Sequence, residues 1–534
     1  MSGSGRSALG NGILPFVTNL DTPLLSLSPK DRFTLRDACN GVHIFGGIGS
    51  GKTSGSGKAL AAAYLRGGMG GLVLCAKPEE VDLWLSYAQA NGREKWVVLF
   101  DERKGFNFIA YELARQGLKG IGNVTECLMR VLEAADHATG SGGGHSSDPF
   151  WGQAIRQILQ YTLPLIFSAN GNVTVSDIID FVVSAATKPE QYVDAAFMEK
   201  SFVAQTLRKA LDAPSVKMPE AEQKSLLEYW FRQYPAIPER TRGNIVISMS
   251  SKLDRFKHGR MRSCFCDRST LVPDMLFEGA LIIMNMPALT WNEDGIIGQQ
   301  LFKYMAQRAI ESRNGLDARH QARPVFIWAD EAQYFVNVND EAFLSTCRGS
   351  KCCVVYMTQT LPTYYARMGK DKTDAADGLV GKFNTQIFHL NACNRTNTFA
   401  SQLIGRDLQW RATQGRSTGT NTSRGLNEGS NENRGFNSGH SSTSGGGSSF
   451  SSNSGSNQGS GESWGANVGT GTNESDSWSE AEQMDNLIEP RFFASELKSG
   501  GPRNGKLVTG VWFKAGARFE ASDGSNWLLA TFRQ

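Results

Sequence analysis

The chain has 534 residues, too many for one hydrophobic core, so two or three domains are expected. Its 55 Lys and Arg against 52 Asp and Glu leave a formal net charge of +3, which selects no partner; a motor that grips DNA inside a ring pore needs no large cationic excess, so near-neutrality does not exclude nucleic acid. The nine cysteines are scattered, with neither Cys264/Cys266 nor Cys352/Cys353 matched by a second pair at zinc-site spacing, which points to reduced, mostly buried thiols of a cytoplasmic protein.

The N-terminal stretch "MSGSGRSALGNGILPF" has no apolar core of a secretory signal. No run reaches bilayer-spanning length, and the longest apolar one, Ala280 to Leu289, is short and interrupted by polar residues. Phe33 to Leu35 and Gly41 to Phe45 read as strands, and Lys58 to Arg66 carries strong helix formers. Between them "GGIGSGKT" fits G-x-x-x-x-G-K-[ST] at Gly46, Gly51, Lys52 and Thr53. At that spacing the backbone N–H groups of a loop formed by Gly46, Gly47, Ile48, Gly49, Ser50 and Gly51 wrap phosphates, Lys52 reaches the outer oxygens and Thr53 ligates Mg²⁺. A helix starting near Lys52 adds the positive end of its dipole. A dinucleotide fingerprint begun at Gly47 fails, because it needs glycine where Lys52 stands.

A strand (Leu72 to Ala76), a helix (Pro78 to Ala90) and a strand (Trp96 to Phe100) follow, an alternation that predicts a parallel sheet with helices on its faces. From Phe150 to about Arg255 helical periodicity takes over in "WGQAIRQILQYTLPLIF", "VSDIIDFVVSAA" and "EQKSLLEYWFRQY", which reads as an all-helical insertion. Strand signals resume at "ALIIMNM", "PVFIWAD", "CCVVYMTQ" and "NTQIFHLN" and complete the sheet. The fold class is therefore α/β: a RecA-like phosphate-loop sheet with an inserted all-α domain and a low-complexity tail. The domain reading is a β-rich lead-in over 1–40, a motor domain of 41–149 with 266–410, the insertion over 150–265, a Ser/Gly/Asn-rich linker or hairpin over 411–480, and a small β element over 481–534. Residues 411–480 hold too few aliphatics to offset the entropy of ordering, so a disordered linker is the first expectation. The alternation in "NVGTGTNESDSWSE" leaves a long hairpin as the second.

Hydrolysis needs a magnesium carboxylate and a group that activates water. "RPVFIWADEAQYF" offers both after a buried strand: Asp330 to hold Mg²⁺ and Glu331 to orient and deprotonate the water. "CCVVYMTQT" ends in Thr358 and Gln359, where a polar strand tip can sense the γ-phosphate, though a strand-end cap explains it equally well. For an arginine acting across a subunit interface, Arg395 is the first candidate and Arg348 the second. The basic run Ser251 to Arg268 suits a phosphate backbone, with a solvated face as its common explanation.

In this order the motifs resemble the type IV secretion coupling proteins of the TraG/TraD kind, within the HerA and FtsK class of hexameric motors. The resemblance is carried by "IFGGIGSGKTSG", "GFNFIAYE", "DPFWGQAIRQIL", "LIIMNMPALTWNEDGIIGQQLFKYM", "FIWADEAQYF", "VVYMTQTLPTYYARMG" and "ASQLIGR", and covers roughly residues 30 to 410 and, more loosely, the final fifty. It implies ATP and Mg²⁺ as cofactors, DNA and a relaxase or other secretion substrate as partners, a homo-hexamer, and a helical insertion that recognises cargo. Members usually carry N-terminal membrane-spanning helices and none is read here, so the expectation is a cytoplasmic protein whose attachment to the inner membrane, where it occurs, comes through a partner. Two alternatives stand beside this reading: a cytoplasmic DNA-processing motor of repair or defence, and a nucleotide-gated adaptor with little turnover.

Overall fold

The computed structural model describes residues 14–138, 149–337, 339–369, 372–426, 438–443, 447–452 and 466–534. It comprises two compact units, one of Met1–Asn397 with Arg491–Gln534 and one of Thr398–Pro490.

The first unit opens with the antiparallel pair β1 (Pro23–Ser26) and β2 (Arg32–Thr34). Its centre is a nine-stranded sheet. The strands in chain order are β3 (Val42–Phe45), β4 (Gly70–Leu74), β5 (Val97–Phe100), β6 (Leu281–Met284), β7 (Val325–Ala329), β8 (Cys352–Thr358) and β9 (Thr385–Phe388), joined later by β14 (Leu507–Lys514) and β15 (Trp527–Arg533). The spatial order is β15-β14-β9-β3-β8-β7-β4-β6-β5. All pairings from β9 through β5 are parallel, while β14 runs antiparallel to β9 and to β15. Strands β3, β4, β6, β7, β8 and β9 are buried along their whole length, as strands covered on both faces must be. This is the RecA-like parallel sheet expected from the alternation of elements.

Strand β4 begins two residues before the predicted Leu72. Gly70 and Gly71 read as breakers in sequence, but a Cβ on Gly71 would lie 2.1 Å from the Phe326 ring, so the glycine lets β7 pack its aromatic beside β4. On that face Trp84, from the helix Pro78–Ala90, stacks on Phe326 at 5.8 Å and meets Trp328 edge-on at 5.2 Å. On the other face Tyr356 donates to Asp340, whose carboxylate also takes Lys303 at 2.5 Å; both members of that pair are fully buried. The C-terminal strands extend the main sheet through the register Val511↔Phe388 to Lys514↔Thr385, a long-range pairing with no period to announce it.

Between β5 and β6 the chain is helical. The helices Phe108–Gln116 and Ile121–Ala138, which the sequence reading did not separate, precede the long helix Pro149–Asn170. Val175–Val183, Phe202–Asp212, Glu220–Glu228, Glu239–Leu253 and Gly259–Phe265 follow. Thr174 and Asp177 form a reciprocal capping box at the start of one of them, which fixes where the chain turns back.

In this region the basic run meets acids of its own chain. Lys252 pairs with Asp136, Arg255 with Asp294, Lys257 with Asp180, Arg260 with Glu102 and Arg262 with Asp267, while Phe256 and Phe265 are buried. Side chains engaged in this way form an ion-paired face rather than a free cationic stripe.

The second unit holds β10 (Arg406–Leu426), β11 (Ser438–Thr443), β12 (Gly447–Ser452) and β13 (Ala466–Asn486) in the order β10-β13-β12-β11. Strands β10 and β13 pair antiparallel without interruption from Arg406↔Asn486 to Leu426↔Ala466. Much of the polar stretch first expected to be linker is thus a ribbon. Its low apolar content argued for disorder, but a backbone ladder does not depend on side-chain burial. Among the described residues no helix is long and apolar enough to cross a membrane.

Candidate nucleotide site

The loop after β3 and the tips of β4, β7 and β8 lie together at the carboxyl edge of the parallel sheet, where such folds place ligands. Gly51 sits at φ 84°, a left-handed conformation that costs glycine little, and a Cβ there would stand 2.6 Å from Val508 of β14. The turn then winds into helical structure at Thr53–Gly57 and Lys58–Arg66, so the loop ends at a helix N-terminus. Ile48 projects from its tip with 90 % of its surface exposed.

Thr53, Asp330, Glu331, Lys52 and Gln359, distant in sequence, converge here. The Thr53 hydroxyl donates to Asp330 Oδ2 at 2.8 Å. Lys52 Nζ lies 3.9 Å from both Asp330 Oδ1 and Glu331 Oε1. A hydroxyl beside a carboxylate is a hard oxygen donor set, which suits Mg²⁺, and the two residues fit that ion. Strand β8 is inserted between β3 and β7, so its tip stands between the phosphate loop and the acidic pair. From there Gln359 Nε2 donates to Glu331 Oε1 at 3.0 Å.

Glu331 is 3 % exposed and has φ 49°, ψ 49°, unusual for a residue with a side chain and common where function fixes the backbone. Its N–H donates to Asp330 Oδ1 at 2.9 Å. Burial alone would raise its pKa, but hydrogen bonds from Gln333, Gln359 and Lys77 and the charge of Lys52 outweigh burial and hold it at about 2.

Three participants escaped the sequence reading. Lys77 donates to Glu331 Oε1 at 3.0 Å, and Gln333 donates to Oε2 at 3.0 Å while accepting from Thr358 at 2.9 Å. Glu80 takes the Ala76 N–H at 2.7 Å and leaves Oε1 without a partner; burial first, and the Asp330 charge second, push its pKa up to about 8. The available signals were slight: Lys77 stands between a strand end and Pro78, and Gln333 lies two residues past Glu331. A fourth, His389, bridges Ser56 of the loop helix at 2.7 Å and the Thr509 carbonyl at 2.9 Å, and burial keeps it neutral by lowering its pKa to about 4.

Arg395 is exposed in the first turn of the helix Asn394–Ile404, with its guanidinium 4.4 Å from the Tyr365 ring centroid. Arg348 lies in the turn before β8, at the amino end of the strand whose other end carries Gln359, so it stays away from this chain's own site. All nine cysteines are free and seven are buried, and the described residues hold no His/Cys/Asp/Glu cluster able to bind a metal.

Residues 324–491 match the family described as the TraM recognition site of TraD and TraG. No curated protein sequence matches the chain. Among solved structures, the unbound monoclinic form of the bacterial conjugative coupling protein TrwB aligns over 94 % of this chain and 86 % of its own, with TM-score 0.51 and 12 % identity. TrwB with a non-hydrolysable ATP analogue covers 75 % of this chain and 80 % of its own, with TM-score 0.43 and 14 % identity. TrwB with ADP and Mg²⁺ covers 71 % and 76 %, with TM-score 0.42 and 14 % identity. At such identity the likeness is one of fold, and the family match covers the stretch holding the acidic strand, β8, β9 and the ribbon. Residues 324–491 thus resemble the C-terminal region of TraD and TraG, and the chain as a whole shares its fold with a conjugative coupling protein.

Proposed function

We propose that the chain is an ATP-hydrolysing, ring-forming DNA translocase of the coupling-protein type, moving DNA or a DNA–relaxase complex. One observation carries the hydrolytic part: the Thr53 hydroxyl, both carboxylates of the β7 tip and the Lys52 ammonium meet within 4 Å of one another in the pairs given above. In this reading the loop from Gly46 to Thr53 holds the triphosphate and Lys52 turns from the carboxylates to its outer oxygens. Thr53 and Asp330 hold Mg²⁺, which neutralises charge on the phosphates when bound. Glu331 takes the proton of the attacking water, Gln359 reports on the γ-phosphate position, and Arg395 serves a neighbouring subunit.

The family description supports a protein partner of the TraM kind for the region 324–491, and the ring is what the resemblance to coupling proteins implies. An adaptor with little turnover has no need of a carboxylate placed as Glu331 is.

Steady-state ATP hydrolysis, with and without double- and single-stranded DNA at two salt concentrations, tests the reading. The expected result is turnover that needs Lys52, rises with DNA and loses that stimulation as salt increases. Turnover indifferent to DNA at both salts would remove the translocase.

A further inference from the structure

We infer that Lys77 is a positioning residue that latches Glu331 in an occupied, inactive arrangement, so that release of this lysine is a condition for water activation. The inference rests on the hydrolysis reading above and concerns a residue outside the phosphate-loop and acidic-strand motifs.

A carboxylate accepts in about four lone-pair directions. On Glu331, Oε1 already receives Lys77 and Gln359, both at 3.0 Å, and Oε2 receives Gln333 at 3.0 Å. Lys52 stands 3.9 Å from the same Oε1. A carboxylate so occupied, and 3 % exposed, has little capacity left for the proton of a water molecule. Its donors differ in what can move them. Gln333 is tied to Thr358, and Gln359 ends a strand buried on both faces. Lys52 has an alternative partner in a triphosphate.

Lys77 has neither constraint. It precedes the helix Pro78–Ala90 in extended backbone, φ −119° and ψ 147°, and its side chain is 42 % exposed. A long, half-exposed ammonium can leave a buried carboxylate for another anion or for water, while the amides that orient the carboxylate stay in place. Lys77 is thus the member of the set that can gate the base without dismantling the site. Its charge also lies at the end of β4, the strand next to β7, so a shift of the β4–helix turn reaches Glu331 directly.

The test compares the full chain with Lys77→Ala, Lys77→Arg, and Lys77→Ala combined with Glu331→Gln, measuring DNA-free kcat and KM for ATP and the affinity for a fluorescent ATP analogue. The expected result is a DNA-free kcat raised about three- to tenfold in Lys77→Ala, the scale of losing a half-exposed charged hydrogen bond, with nucleotide affinity unchanged. Lys77→Arg, which restores a cationic donor, brings the rate back towards the parent value, and the combined variant shows no rise. A parent that is inert and awakened by Lys77→Ala supports the latch equally. A parent that turns over while Lys77→Ala is equal or slower overturns the latch and leaves the hydrolysis reading standing. Parent and Lys77→Ala that both bind nucleotide and both stay inert overturn the two together.

Discussion

Replacing Glu331 by Gln removes a charge and a proton acceptor while keeping the shape of the side chain, and the structure shows why the site should survive. Lys77 and Gln359 both donate to Oε1, and an amide oxygen in that place accepts both. The new NH₂ group would face the Nε2 of Gln333, donor against donor. Turning the Gln333 amide resolves the conflict, because the Thr358 hydroxyl that now donates to it can accept instead. No buried group is left without a partner, and the negative charge beside the phosphates is gone. ATP binding should therefore stay the same or tighten. Turnover loses its general base, an effect of about 10²- to 10⁴-fold, or roughly 3–5 kcal/mol in the barrier. Single-turnover hydrolysis of radiolabelled ATP, paired with equilibrium binding of a fluorescent analogue, separates the two effects. Hydrolysis at the parent rate would remove Glu331 from the role of base. Loss of binding would show that the residue builds the site rather than acting in it.

Three further outcomes follow from other parts of the molecule. Lys303→Met should destabilise the first unit by about 3–5 kcal/mol in denaturant unfolding, because Asp340 is left charged and fully buried; adding Asp340→Asn should recover much of the loss, and a single variant as stable as the parent would refute the pairing. Glu80 has its folded pKa raised from 4.5 to about 8, so its contribution to stability is full below about pH 4.5 and is lost as pH rises through about 8. Melting curves of Glu80→Gln against the parent should diverge with rising pH in the variant's favour, and parallel curves would rule out that ionisation. Arg395→Ala should lose activity alone and depress parent activity when the two are mixed before assembly; parent-like turnover at every mixing ratio would take Arg395 out of a neighbour's site.

Much of the site could be read from residue order because its two motifs are local. Gly46 to Thr53 must follow a strand and open a helix, and Asp330 with Glu331 must follow an apolar run, so spacing alone identifies both. The helix Lys58–Arg66 and the helix Pro78–Ala90 likewise have the bounds that periodicity gives them. Lys77, Gln333 and Glu80 carried no such signal. Lys77 and Glu80 sit near the site only because β4 and β7 are neighbours, and strand order is a matter of long-range pairing that short windows of sequence do not contain; Gln333 is local to Glu331, but nothing in its residue type marks it.

The same distinction runs through the whole chain. Sequence alone determined the α/β class, the phosphate loop, the acidic strand and the helical stretch between the halves of the sheet, since each depends on hydrophobic period or on residue type at fixed spacing. Tertiary structure alone decided that β8 separates β3 from β7, that Lys252, Arg255, Lys257 and Arg260 are matched by acids from elsewhere, and that the C-terminal strands close one edge of the sheet. It also decided the state of Glu331. Whether a carboxylate is free to act depends on which donors reach its oxygens, and here Lys77 and Gln359 come from the ends of other strands while Gln333 comes from the turn that Glu331 itself opens.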